Sequence, residues 1–298
     1  MATAIATPHV ESVRTSRWPY LLAYLAAVIA AEVLIAIPGG STGLERPFQS
    51  IGLSIHILLV FTLMFLSVVI QPKDATLSPL LVAASLASLV RVFSLAVPRY
   101  NFLGLVPTAA FPDPVTNPLN TIPWLALVSV PLLVSVAAVA YVQRLRPRDL
   151  GLALQRWPEI VQQTAIALTG IALGLVEFFI LRPDAWIESL TVSSVVIGGL
   201  VIFFATGFSE ELIFRAILLK RAVDGLGRRG GLLYVTAIFA SLHIFFLSGV
   251  DLVFVFAVGL FYGFIVLRTR NLWGVILSHS LGNVILYLVA PFLFHAIR

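Results

Sequence analysis

The chain has 298 residues, of which 59% are hydrophobic and only 11% are Asp, Glu, Lys or Arg, where an ordinary soluble domain carries about 25% charged residues. Together with a mean hydropathy of +1.02, this composition excludes a disordered chain, a polar repeat protein and an ordinary water-soluble enzyme, and it predicts a polytopic membrane protein. The absence of Cys excludes disulfides, a thiolate nucleophile and Cys-ligated metals. We attribute the net charge of +5 to loop residues that orient the helices rather than to nucleic-acid binding.

Nine apolar stretches are candidate spans, and eight of them have roughly the 17–25 residues that cross a hydrocarbon core. They predict an all-α, polytopic transmembrane bundle of about 8–9 spans, at 18–38, 49–70, 77–97, 122–142, 161–181, 190–222, 232–248, 251–267 and 272–293. The sixth stretch is too long for a plain span, and we interpret it as one helix with a candidate kink at Gly207. Residues 1–17 are expected to be a disordered segment, followed by N-terminal spans over 18–148.

Two connecting segments stand out in the sequence. Residues 98–123 are rich in Pro and are interpreted as a structural lid or connector. Residues 143–160 carry four Arg and are expected to form a basic interfacial helix, capped by Asp149 and anchored by Trp157.

The Lys and Arg residues are distributed unevenly between the two sides of the predicted bundle. With the N-terminus in the cytoplasm, 13 of the 19 fall on the inside, 4 fall outside and 2 lie within spans. This bias follows the positive-inside rule, and it predicts an odd number of crossings with the C-terminus outside.

Charged and strongly polar groups within the spans are candidate functional residues, because a charge in hydrocarbon costs several kcal/mol. Most of them lie in the last third of the chain. The full set is Glu32, His56, Arg91, Glu177, Glu210, Glu211, Arg215, His243, His279 and Asn283.

The spacing of these residues suggests a shared site. Glu211 and Arg215 are four residues apart on one helical face and can neutralise each other, whereas Glu210 points about 100° away and needs a partner from another helix. Helix rise places Glu210, His243, His279 and Asn283 at similar depths in the cytoplasmic half of the bilayer. A carboxylate, two imidazoles and an amide in one cavity are what a hydrolase needs to activate water and to hold an oxyanion.

A metal site uses the same residue types. Glu210, His243 and His279 form a plausible zinc set, although no HExxH pattern is present and the two His are 36 positions apart. The spacing does not decide between a metal site and a metal-free one.

Three motifs carry a resemblance to a known family. E-E-x-x-x-R is present as Glu210-Glu211-Leu-Ile-Phe-Arg215, F-x-x-x-H ends at His243, and H-x-x-x-N runs from His279 to Asn283. Over residues 150–293 the sequence resembles the CPBP (Abi) family of intramembrane proteases, which includes CAAX prenyl endopeptidases and bacteriocin-processing and immunity proteins. The first 150 residues match only in being membrane-spanning.

The resemblance implies a protease core over 149–298 with a cytoplasm-facing intramembrane cavity. It implies that Glu210 and His243 activate water and that His279 and Asn283 stabilise the oxyanion. Glu211 and Arg215 would be supporting residues. No cofactor is expected on this mechanism, with a divalent metal such as zinc as the alternative.

The expected function is therefore intramembrane endopeptidase activity on a membrane-associated or lipid-modified substrate. Two alternatives are a non-catalytic immunity or regulatory protein of the same fold and a proton-coupled transporter, since Glu and His chains also relay protons. The expected partners are the substrate polypeptide and the bilayer, with no nucleic acid. The expected location is a prokaryotic cytoplasmic membrane, with the N-terminus inside and the active site toward the cytoplasm.

Overall fold

The computed structural model describes residues 17–37, 45–100, 117–153 and 156–294, apart from the side chains of 45–47 and 96–100. These residues form helices and connecting turns without any β-strand, which confirms the predicted all-α class. Of the segment expected to be disordered, residues 1–16 lie outside the described residues, as do residues 101–116 of the Pro-rich loop.

Eleven α-helical segments make up the described fold. They are α1 (Trp18–Ala36), α2 (Glu45–Ile70), α3 (Leu77–Tyr100), α4 (Thr121–Val142), α5 (Trp157–Leu181), α6 (Val192–Ile202), α7 (Ser209–Glu211), α8 (Leu219–Ser241), α9 (Gly249–Thr269), α10 (Trp273–Val284) and α11 (Ala290–Phe294). π-helical turns continue the helix between α6 and α7, α7 and α8, and α10 and α11, over Phe203–Phe208, Leu212–Leu218 and Ile285–Val289.

Eight of the described helical stretches are long and apolar enough to cross a membrane, which confirms the multi-pass prediction. The sixth stretch, Val192–Phe246, has 55 residues and does not run straight. Gly227 has φ 75° and ψ 171°, which breaks the helix inside α8. After this break Gly231 packs against the backbone of residues 222–223, so the chain folds back on itself and crosses the bundle twice. The nine predicted spans therefore correspond to nine passes.

One local expectation differs from the structure. Residues 143–153 form turns rather than an interfacial helix, and the Asp149 carboxylate accepts a hydrogen bond from the Arg146 backbone N–H at 2.9 Å, which closes a turn. The short spacing of Pro147 and Gly151 accounts for this, because neither residue favours a helix interior. Gly207, the candidate kink position, lies within the π-helical segment Phe203–Phe208.

The connections divide the bundle into two faces. The first, which we call the basic face, carries the start of α1, residues 71–76, 143–153 and 156, the fold-back at Gly227, and residues 270–272. The opposite face carries the end of α1, the start of α4, and residues 182–191 and 244–248. Trp18, Trp157 and Trp273 begin helices at the basic face, as expected for residues at a membrane interface.

Helices α5 and α10 run parallel in direct backbone contact. A Cβ atom added at Gly170 would meet the Ser278 carbonyl oxygen, and one added at Gly174 would meet the Gly282 carbonyl oxygen. The two glycines are four residues apart on one face of α5, which is the small-residue spacing that lets membrane helices approach closely. This contact fixes the position of the helix that carries His279.

The N-terminal helices enclose a buried ion network. The Glu32 carboxylate, 0% exposed, accepts two hydrogen bonds of 2.8 Å from Arg91, and His56 Nε2 lies 3.1 Å from Glu32 Oε1. Arg91 also donates to the Leu242 carbonyl at 2.7 Å. A network contributed by α1, α2 and α3 therefore holds the end of α8, directly before His243.

We expect Gly174→Ala to destabilise the bundle by about 1–3 kcal/mol, because the new methyl group overlaps a backbone carbonyl that cannot rotate away. Gly199→Ala is a matched control in a helix, since its nearest new contact is an ordinary 3.5 Å. The measurement is the thermal unfolding midpoint in detergent. Equal midpoints for the two variants would contradict the proposed backbone contact.

A second prediction concerns Asp74 at the basic face. Two hydrogen bonds from the Arg17 guanidinium, at 2.6 and 3.0 Å, hold the pKa of the Asp74 carboxyl below its usual 3.8. Because the folded state lowers this pKa, the pair stabilises the fold above the pKa of the unfolded chain and ceases to do so as the pH falls through the lower folded pKa. Asp74→Asn should therefore unfold at a lower temperature than wild type at neutral pH, with the difference shrinking below about pH 3. A difference that is constant with pH would contradict the ion-pair assignment.

Candidate active site

The Glu210-Glu211 pair lies in a helix with unusual backbone hydrogen bonding. α7 is a single α-turn between two π-helical segments. The hydroxyl groups of Thr206 and Ser209 donate to the carbonyls four residues earlier, at 2.8 and 2.6 Å. π-Turns are rare and are often found at functional sites, where the wider turn changes the direction of the side chains.

Glu211 points into the protein and is 0% exposed. Its Oε1 accepts from Arg215 Nη1 at 3.0 Å and from His279 Nδ1 at 2.8 Å. Arg215 in turn stacks its guanidinium 4.1 Å from the centroid of the Phe239 ring. One buried carboxylate thus links three helical segments, since Arg215, His279 and Phe239 come from different parts of the chain.

The two histidines are held in the same way. Glu211 engages His279 through Nδ1, and the Phe239 carbonyl lies 2.9 Å from His243 Nδ1. A carbonyl and an ionised carboxylate only accept hydrogen bonds, so each Nδ1 carries the proton. In both residues Nε2 is therefore the nitrogen left for chemistry. His243 follows the end of α8 with φ −95° and ψ 0°, in the sparsely populated bridge region that many active-site residues occupy.

Asn283 is fixed by the π-helical segment that precedes α7. Its Nδ2 donates to Thr206 Oγ1 at 3.0 Å, and the Thr206 hydroxyl donates a hydrogen bond to the Ile202 carbonyl. One N–H of the amide is thereby used and the second remains available. His279 and Asn283 lie one turn apart on α10, which accounts for their common direction.

A large cavity brings the candidate residues together. It has a volume of about 1270 Å³, and its lining includes Glu210, His243, His279 and Asn283. Among the described residues, the Glu210 carboxylate has no hydrogen-bond or ion-pair partner. Glu211 and Arg215 are not part of the lining and support the site from behind. The adjacent acids therefore have separate environments, one facing the cavity and one inside a buried ion network.

Glu177 also lines this cavity, although the sequence motifs do not include it. A signal for it is present in the sequence. Gly170, Gly174 and Glu177 are at i, i+4 and i+7, so they share the face of α5 that packs on α10. The Gly-x-x-x-Gly spacing marks that face as a helix contact, and an acid one turn further along is directed toward the partner helix.

The sequence offered a metal site as an alternative use of Glu210, His243 and His279. Among the parts of the chain that the structure describes, no group of three or more His, Asp and Glu residues is placed to hold a metal ion. The zinc alternative stays a prediction from the sequence, and we derive no step through a metal.

Comparison with known proteins identifies one family. Residues 191–285 match the family model described as Type II CAAX prenyl endopeptidase Rce1-like. Comparison with curated proteins gives no match, and comparison with solved structures gives none. The matched segment runs from α6 into the turn after α10 and contains all three motifs. The chain is thus a multi-pass membrane protein whose residues 191–285 are similar to the CAAX protease family, and this similarity supports a CAAX-type intramembrane protease kind of function.

Proposed function

We propose that this protein is an intramembrane endopeptidase that cleaves a membrane-associated or lipid-modified polypeptide with a water activated by Glu210 and His243. The observation that carries the proposal is the shared cavity, where a carboxylate without a partner, two imidazole Nε2 atoms and an amide N–H come together. Its volume of about 1270 Å³ is larger than a typical small-molecule site of roughly 300–1,000 Å³, which suits a polypeptide segment.

The proposed reaction follows from the hydrogen bonds. Glu210 takes a proton from water while His243 Nε2 accepts the second water hydrogen bond, and the resulting hydroxide attacks the peptide carbonyl carbon. The oxyanion receives hydrogen bonds from the available N–H of Asn283 and from Nε2 of a doubly protonated His279, whose charge Glu211 balances. Glu210 then returns its proton to the leaving amine as the C–N bond breaks.

Glu210→Gln should lower cleavage by about 10²–10⁴-fold without lowering the unfolding temperature, because the cavity-facing carboxylate has no partner to lose. Since the substrate is unidentified, the assay compares the termini of membrane-associated peptides in cells that carry wild type or the variant. Termini that are formed only with wild type identify both the activity and the substrate. Glu188→Gln, an exposed acid outside the cavity, is the control and should leave those termini unchanged.

If deleting the gene changes the cells and no terminus depends on Glu210, the protease proposal fails. In that case the non-catalytic alternative is the better description of the protein.

Glu211→Gln should behave differently from Glu210→Gln. Removing this charge leaves Arg215 buried without its counter-ion, which should cost about 3–5 kcal/mol of stability as well as activity. Replacing both partners, in Glu211→Gln with Arg215→Met, should recover much of the unfolding temperature but not the cleavage, because His279 still lacks its carboxylate partner. A stable and fully active Glu211→Gln variant would show that this ion network does not position the site.

A further inference from the structure

The cavity lies in one half of the bundle. α4 lines it only with its first half, from Thr121 to Leu132, and α9 only with Phe254, Val255, Val258 and Tyr262. α3 contributes the region from Val90 to Leu95, which is nearest its end. Since these helices alternate in direction, the contributing halves all lie toward the opposite face. The cavity therefore extends from the site residues to that face.

Loop and helix-end residues form the rim of the cavity. Asp184 and Trp186 lie in the connection between α5 and α6, and Phe246 lies in the connection between α8 and α9. All three belong to the opposite face. None of the described residues of 143–153, 156 or 219–231 lines the cavity.

The basic face is packed shut where the structure describes it. Leu218, Leu219 and Leu272 are at most 1% exposed. The Leu272 backbone N–H donates to the Gly151 carbonyl at 3.0 Å, and Arg221 Nε donates to Gln143 Oε1 at 2.6 Å. Hydrogen bonds between loops and buried leucines thus separate the site from the basic face.

Charge assigns a compartment to each face. Of the described Lys and Arg residues, 12 lie at or beside the basic face, and the positive-inside rule places such a face in the cytoplasm. The start of α1 and the rim of the cavity lie on different faces, so a cytoplasmic N-terminus and a cytoplasm-facing cavity do not occur together in this fold. The charge distribution favours the cytoplasmic N-terminus, and it therefore argues against the cytoplasm-facing cavity.

We infer that the cavity admits its substrate from the side of the membrane away from the cytoplasm, so that the polypeptides cleaved are membrane-anchored or lipid-modified chains presented at the outer leaflet. The substrate class rests on the proposed function, whereas the direction of access does not depend on activity. Cytoplasmic proteins that are modified at their C-termini would meet the closed basic face. Access from the opposite face therefore excludes them as substrates.

Cysteine labelling tests the inference directly, because the chain has no Cys and any introduced thiol is unique. The variants are Glu188→Cys on the opposite face, Arg148→Cys on the basic face, and Val258→Cys inside the cavity, about 13 Å along α9 from Gly249. The probe is a membrane-impermeant thiol reagent applied to intact and to permeabilised cells. We expect Glu188→Cys and Val258→Cys to be labelled equally in both, and Arg148→Cys to lose its labelling in intact cells.

Labelling of Arg148→Cys but not Glu188→Cys in intact cells, or equal labelling of the two, overturns the orientation. Labelling of Val258→Cys only after permeabilisation, or not at all, overturns access from the opposite face. The peptide-terminus comparison separates the two proposals. If labelling is as expected and Glu210-dependent termini map to cytoplasmic segments, the substrate class fails and the protease proposal stands. If no terminus depends on Glu210, the protease proposal fails and the orientation stands.

Discussion

The carboxylate of Glu211 is the interaction on which the geometry of the site depends. It is fully buried, and a charge in that environment is tolerated only when partners compensate for its lost hydration. Arg215 and His279 supply that compensation through a single oxygen, and the Phe239 ring covers the guanidinium. Because the partners belong to different helices, satisfying one charge fixes the position of several elements at once. The neighbouring Glu210 is then left to face the cavity.

Backbone packing provides the second constraint. Gly170 and Gly174 let α5 touch α10 without intervening side chains, and Gly207 lies equally close to Ser280 on another side of α10. α10 is therefore enclosed by close contacts that leave little room for it to shift. The π-turns beside α7 complete this arrangement, since Thr206 lies within one of them and orients the Asn283 amide. Small residues thus fix the position of α10, and an irregular turn fixes the direction of the Asn283 amide.

The helices before residue 191, which lie outside the family match, take part in the site. α3 and α4 supply one wall of the cavity, and the Glu32–Arg91 pair holds the Leu242 carbonyl beside His243. A buried pair of this kind is not by itself a source of stability, because desolvation offsets much of the attraction. Its effect here is to place a hydrogen-bond donor at the end of the helix that carries a candidate catalytic histidine. The N-terminal half of the chain therefore shapes the site as well as anchoring it in the membrane.

The sequence alone determined the class of the fold, its spans and the identity of the motif residues. Spans are readable because hydrocarbon demands long apolar segments, and Glu210, His243, His279 and Asn283 were conspicuous because charged and polar groups are rare there. Pro147 and Gly151 are the sequence features that favour turns at 143–153, whereas the π-turns have no recognisable pattern in the sequence. Only the tertiary structure decided that Glu211 rather than Glu210 is enclosed, and that the cavity extends to the face opposite the basic loops. Those features depend on the rotation and depth of each helix, which packing against its neighbours sets and periodicity does not.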